Sequence, residues 1–370
     1  MSTEMEEAAS QMGMDADRLR LALEVVAREV KTGEIPGAVV SVGRNGAWFE
    51  HAVGEAVLGE KDPHPAAPDT IYDCASLTKV VVTLPLILML LEEGRLRLDD
   101  HVHHFLPEFA EQGKASVSIR HLLSHTSGLI SIPQLHSRGW SKEQMLDAIL
   151  RKPLDYEPET QVVYSDLGYI VLGHLAALLF DEPLEEAARS RVFEPLGMID
   201  SRFCPPTALK PRIAATERYP SESGPRWGIV HDENAHAMGG VCGHAGLFST
   251  ARDLSRYAAL WLGGGKLKGR RLLSAASVQL ATSLQTPGFA SGKRGLGWVL
   301  KGDKFDASGD LLSQTSYGHT GFTGTSLYID PLHRLTVVLL TNRVHLGREK
   351  SVVRLRALFH NAICAALIDS

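Results

Sequence analysis

The chain is short of several features that would name its chemistry at once. It has four cysteines, Cys74, Cys204, Cys242 and Cys364, far apart and without a C-x-x-C pair. That spacing does not suit a zinc ribbon or a thioredoxin-type site, and a chain this long needs no disulfide staple, so reduced thiols are expected. It has no long apolar run. The longest, Val80 to Leu91, is broken by Thr83 and Pro85; a membrane span needs about 20 residues, so this run reads as a buried core helix. There is no surplus of one charge, since 38 Lys and Arg face 43 Asp and Glu for a net charge of −5, and this leaves no electrostatic footprint for nucleic acid. Gly and Pro number only 34 and 18, below the level of low-complexity chains. The opening stretch, Met1 to Arg18, is acidic and lacks the apolar run of a secretory signal. With Met1 as the start, a cytoplasmic protein is expected.

What is present is an ordinary globular balance, 44% hydrophobic and 22% charged in 370 residues, enough for two domains or for one domain carrying an insertion. Apolar spacing predicts a helix over Asp15 to Lys31 and a strand over Gly37 to Val42. Arg44-Asn45-Gly46 signals a hairpin, Ala47 to Val57 is the returning strand, and Gly59 to Thr70 is a loop. The middle turns helical: Ser76 to Gly94, Ile119 to Leu123, Ser141 to Arg151, Asp166 to Phe180, Pro183 to Val192 and Asp253 to Leu262. Pro85 predicts a kink or early break in the first of these. Strand patterns return at Gly295 to Leu300, Thr325 to Ile329 and Leu335 to Thr341, and a helix over Glu349 to Ile368 closes the chain. An α+β architecture follows. Residues 1–72 and 265–370 are expected to form one antiparallel sheet with both terminal helices on one face, and residues 73–264 a mainly helical inserted lobe. A ligand site is expected in the groove between them.

Three short motifs carry chemistry. In Ser76-Leu77-Thr78-Lys79, a serine and a lysine three apart at a helix start share one face, and the helix N-terminus favours negative charge developing on oxygen. Tyr164-Ser165-Asp166 stands just before a helix, and His319-Thr320-Gly321 leads into a strand. Alone, an S-x-x-K match means little. In this order and these settings the three match the S-x-x-K, S-D-N and K-T-G signature of β-lactamases and penicillin-binding proteins. Arg120 to Leu129, Tyr164 to Tyr169, Gly243 to Thr250 and Gly318 to Pro331 extend the match.

Over nearly its whole length the chain resembles the serine β-lactamase-related superfamily, which holds class C β-lactamases, penicillin-binding D,D-carboxypeptidases and family VIII-type carboxylesterases. The resemblance implies that Ser76 is the nucleophile, with Lys79 and Tyr164 the candidate bases. Their ordinary pKa values, about 10.4 and about 10, must fall for either to act near neutral pH. It also implies an oxyanion hole made by the backbone N–H groups of Ser76 and Phe322, and substrate contacts from Asp166, His319, Thr320 and Gly321. Two positions depart from the signature. Asp166 stands where class C enzymes carry asparagine; an ionised carboxylate cannot donate a hydrogen bond, and it can pair with Lys79 instead. His319 stands where lysine is expected, and a histidine is mostly neutral at pH 7, so carboxylate-bearing β-lactams should bind poorly while simple esters lose less. Arg343, after a strand, is a candidate replacement cation.

Other clusters read as structural. His121 and His125 have helical metal spacing but no H-E-x-x-H motif. His101, His103 and His104 read as surface histidines, and His231-Asp232-Glu233-Asn234 with His236 and His244 as part of the groove rim. The expected protein is a serine hydrolase that cleaves small esters through an acyl-enzyme, with at most weak β-lactam hydrolysis and no metal or organic cofactor. A β-lactamase or D,D-carboxypeptidase is the alternative, and a non-catalytic ligand-binding protein on the same fold is the alternative of another class. The expected partner is a small ester or lactam, with no nucleic acid and no membrane; oligomeric state and the choice between hydrolysis and transacylation stay open.

Overall fold

The structure, a computed structural model, describes residues 2–59, 64–130, 132, 135–220, 222–290 and 292–368. Helices α1 (Ser2–Met12) and α2 (Ala16–Lys31) lead into strands β1 (Gly37–Arg44), β2 (Ala47–Val57) and β3 (His64–Pro65). Within the expected loop from Gly59 to Thr70, β3 pairs with the end of β2, and residues 60–63 lie outside the described residues. Strand β4 (Tyr72–Asp73) precedes a helical stretch holding α3 (Leu84–Glu92), α4 (Ile119–Leu123), α5 (Lys142–Leu150), α6 (Asp166–Phe180), α7 (Leu184–Ala188), α8 (Glu194–Leu196) and α9 (Glu233–Ala237). Then come β5 (Phe248–Ser249), α10 (Ala251–Leu262), the hairpin β6 (Lys266–Leu267) and β7 (Arg270–Arg271), α11 (Ala275–Thr282), β8 (Val299–Leu300), β9 (Tyr317–Thr320), β10 (Ser326–Asp330), β11 (Leu335–Thr341) and α12 (Val353–Ala365).

The main sheet has the order β3-β2-β1-β11-β10-β9-β8, every pairing antiparallel. Chain ends meet at its centre, where Val40 faces Leu339 and Val42 faces Val337. Period-two alternation sends the two faces of each strand to different cores. Ala38, Val40 and Val42 of β1 and Val337 and Leu339 of β11 pack with α1, α2 and α12. Val39, Leu327, Ile329, Val338 and Leu340 face the other way and share one continuous core with the helical block. Helix α10, inside the 73–264 segment, lies on this second face against β1, β10 and β11, and Ser255 Oγ hydrogen-bonds Ser41 Oγ at 2.8 Å. Burial on both faces accounts for the nearly unbroken apolar strands. Each fully buried aliphatic side chain contributes roughly 1.5–3 kcal/mol.

Four local expectations need correction. Helix α1 is additional; Met5, Ala9 and Met12, spaced four and three apart, bury its inner face. The helix expected from Ser76 to Gly94 is not one α-helix: Ser76 lies in a turn, Lys79–Thr83 is a π-helix, and α3 follows with Pro85 in its first turn. The wider π ring satisfies the backbone just upstream of a proline that has no N–H. The expected helix Pro183 to Val192 does the same, with a π-helix at Arg189–Phe193 upstream of Pro195. The strand expected from Gly295 to Leu300 shrinks to β8, because Gly297 adopts φ 78° where the chain passes close to the Tyr169 hydroxyl.

Candidate active site

The nucleophile segment is held by its backbone. Asp73 is buried, and its carboxylate accepts from the N–H of Ala75 (2.8 Å) and of His231 (2.6 Å). Ala75 is forced to φ 45°, a conformation an L-residue keeps only when its surroundings impose it. Thr78 Oγ1 donates to Ala75 O at 2.6 Å, closing the turn that presents Ser76. From the sheet side, Thr323 Oγ1 donates to Asp73 O (2.7 Å) and Thr325 Oγ1 to Cys74 O (3.1 Å). Gly321 must be glycine for this contact: a Cβ there would stand 2.5 Å from Cys74 O. Buried Arg356, from α12, donates to Gly321 O (3.0 Å) and Thr325 O (2.8 Å), so the far helix braces the same loop.

Ser76, Tyr164, Asp166, His319, Thr320, Gly321, Phe322 and Arg343 all line one cavity of about 560 Å³. Lys79, fully buried beneath it, donates to Ser76 Oγ (3.1 Å) and to His244 O (3.1 Å) and pairs with Asp166 Oδ1 at 2.7 Å. Its Nζ stands 4.8 Å from the centre of the Tyr164 ring. Burial alone would lower the Lys79 pKa, but the Asp166 carboxylate and Tyr164 outweigh it and hold the pKa above its ordinary value. Burial and Asp166 push the Tyr164 phenol up, against the opposing pull of Lys79 and Ser76. The resting site is thus a lysine ammonium beside a tyrosine phenol, two groups that titrate as one coupled pair. Asp166 occupies the first turn of α6, whose N-cap is Ser165; its charge suits the helix dipole there.

The N–H groups of Ser76 and Phe322 donate to no acceptor among the described residues, so both are open to an oxyanion. His319 is buried, and its Nδ1–H donates to Thr320 O at 2.9 Å. Nε2 then carries the lone pair, and it has no partner. Burial, with Lys79 and Arg294 nearby, drives the His319 pKa well below its ordinary value, so this position is a neutral acceptor. Arg343 lines the cavity, but its Nη1 donates to the carbonyls of Arg348 and Lys350 and its guanidinium lies 4.6 Å over the Phe322 ring.

Sequence reasoning missed three contributors, Arg294, Asp73 and Arg356, and placed a fourth, His244, only at the groove rim. Arg294 is 1% exposed, pairs with fully buried Asp303 (Nε to Oδ2, 3.2 Å), and lines the cavity with Nη1 unpartnered. His244, held protonated with its pKa raised to about 10, owes that to Asp232 at 2.9 Å, which outweighs burial; its carbonyl receives Lys79. Asp73 and Arg356 are the remaining two. No local pattern marks Arg294, Asp73 or Arg356, which act through contacts that the sequence does not display. His121 and His125 lie outside the reacting group. His121 caps α4 and pairs with Glu159 (3.1 Å), while His125 packs on the Tyr164 ring at 4.7 Å and accepts from Ser165 N–H.

A family model described as Beta-lactamase matches residues 23–361. A putative D-alanyl-D-alanine carboxypeptidase of Escherichia coli (strain K12) is 32% identical, covering 92% of this chain and 86% of that protein. Among solved structures, a novel penicillin-binding protein homolog from Caulobacter crescentus superposes with a TM-score of 0.78 at 22% identity, over 96% of this chain and 99% of that one. EstCE1, a hydrolase with promiscuous acyltransferase activity, superposes with a TM-score of 0.75 at 24% identity, over 94% and 99%.

Proposed function

The chain belongs to the beta-lactamase family of serine hydrolases, and from that premise we propose that it cleaves small neutral carboxylic esters through an acyl-enzyme on Ser76. Once the Tyr164–Lys79 unit has lost one proton to solvent, Ser76 Oγ attacks the ester carbonyl carbon as its own proton passes to that unit. The oxyanion is met by the N–H groups of Ser76 and Phe322. The C–O bond to the alcohol breaks, and the same unit returns the proton to the departing oxygen. Water then attacks the acyl carbon, gives its proton to that unit, and releases the acid with Ser76 restored. One observation carries the ester preference: His319, where a carboxylate-binding lysine would stand, is a buried neutral acceptor with a bare Nε2. A lone pair there repels a carboxylate and leaves an uncharged ester undisturbed.

A second reading, D,D-carboxypeptidase activity, is favoured by Arg294. Arg294 lines the cavity and its Nη1, buried just beneath the surface, has no partner; a small shift of the side chain would let it donate to a peptide carboxylate, and the relative from E. coli carries that activity in its name. A fluorophosphonate probe, with short-chain p-nitrophenyl esters, penicillin G and a D-Ala-D-Ala peptide as substrates, tests both. Expected are labelling of wild type but not of Ser76→Ala, ester turnover above the other two, and a loss of about 10⁴-fold or more in kcat on Ser76→Ala. No labelling of wild type sinks the hydrolase mechanism. Peptide turnover above ester turnover replaces the first reading with the second.

A further inference from the structure

We propose that the chain binds one divalent transition-metal ion of the zinc class at His101, His103 and His104. The three imidazoles converge, with ring centres 5.5, 5.5 and 4.6 Å apart and one nitrogen of each within 4.8 Å of the other two. Their backbone is anchored. Val102 N–H donates to Val117 O (3.0 Å), Ile119 N–H to Asp100 O (3.1 Å), and His104 N–H to His101 O (3.0 Å). The last bond opens a 3₁₀ turn at Val102–His104, a geometry that eclipses positions three apart and so stacks His101 and His104 on one side.

Nitrogens bound tetrahedrally to zinc at 2.0–2.1 Å stand about 3.4 Å from one another. Closing from 4.8 Å needs rotation of side chains and no movement of backbone. His121, His231, His244 and His333 each pair directly with a carboxylate; these three make no such ion pair among the described residues, and the Asp100 carboxylate acts on His104 through its charge, which favours a bound cation. His103 Nδ1 is buried without a hydrogen-bond partner, and a bound cation would satisfy it in the tautomer that protonates Nε2. His104 is exposed, so a water can complete the coordination. Neutral imidazoles suit zinc, copper or nickel rather than magnesium or calcium. None of the three lines the cavity that holds Ser76, so the site is independent of the hydrolytic chemistry.

The test titrates tag-free full-length protein with ZnCl₂ against a zinc-chelating dye, and with CoCl₂ followed by visible absorption. Expected are one tight equivalent, the strong absorption of near-tetrahedral cobalt, and a higher thermal midpoint with zinc. The double variant His101→Ala with His104→Ala loses that equivalent and keeps wild-type ester turnover. His104→Gln, at an exposed position, weakens binding at least about tenfold and decides the matter should the double variant not fold. Absence of tight binding by wild type, or equal binding by His104→Gln and wild type, overturns the proposal.

Discussion

The two walls of the cavity are opposite in kind. The wall from the nucleophile turn and the start of α6 is charged and internally paired: Lys79 touches Ser76, His244 and Asp166, and Tyr164 lies across it. The wall from the sheet side is neutral or unpaired, with the open N–H of Phe322 and, buried in the lining residues, the bare Nε2 of His319 and the unpartnered Nη1 of Arg294. The paired wall has its proton chemistry organised before a substrate arrives. The unpaired wall holds polar atoms that no protein group satisfies. Rate should therefore depend most on the first wall and substrate choice on the second, and mutation can set one against the other.

After the loss of the nucleophile itself, Tyr164→Phe should have the largest effect, a fall in kcat of about 10²–10⁴-fold with little change in KM, measured with a p-nitrophenyl ester. A fall in KM-dependent terms alone would mean that this wall binds rather than reacts. His319→Lys comes next. A cation at that position should raise kcat/KM for penicillin G relative to the ester at least about tenfold, and an unchanged ratio would show that the sheet wall does not read charge.

Asp166→Asn is a pH experiment. The carboxylate stabilises the Lys79 ammonium and disfavours the Tyr164 phenolate, so it raises both pKa values. The pair must lose one proton before it can accept one from Ser76, so kcat/KM should rise with pH through the alkaline range. Removing the carboxylate lowers both pKa values, and the rising limb should move to lower pH by about one unit. A limb that stays in place would show that Asp166 is not coupled to the base.

Legibility in the sequence follows the same division. Ser76, Lys79 and Tyr164 sit in short motifs at element starts, where residue type and spacing carry the chemistry. The sheet and its paired ends were legible from apolar runs that burial on both faces makes continuous. The two π-helices were not legible, because a proline signals a break without saying how the backbone upstream is satisfied. Arg294 was not legible either. It follows Lys293 and precedes a glycine, as many exposed arginines do, and its burial depends on Asp303 and on the ring of Phe305, 5.3 Å away.

Arg294 also gives the smallest and most discriminating prediction. Truncating it would strand Asp303, since losing one partner of a buried ion pair costs about 3–5 kcal/mol, and any loss of activity would then report unfolding. Arg294→Lys keeps the charge opposite Asp303 but removes the planar fork and its Nη1. If the sheet wall meets only neutral esters, ester kcat/KM should stay within about twofold, with the thermal midpoint near wild type. If the wall holds a peptide carboxylate, the same variant should weaken D-Ala-D-Ala peptide turnover by about tenfold through KM, the loss of one charge-assisted hydrogen bond. Equal losses on both substrates would remove the division of labour between the walls, because a residue outside the reacting group would then be setting the rate.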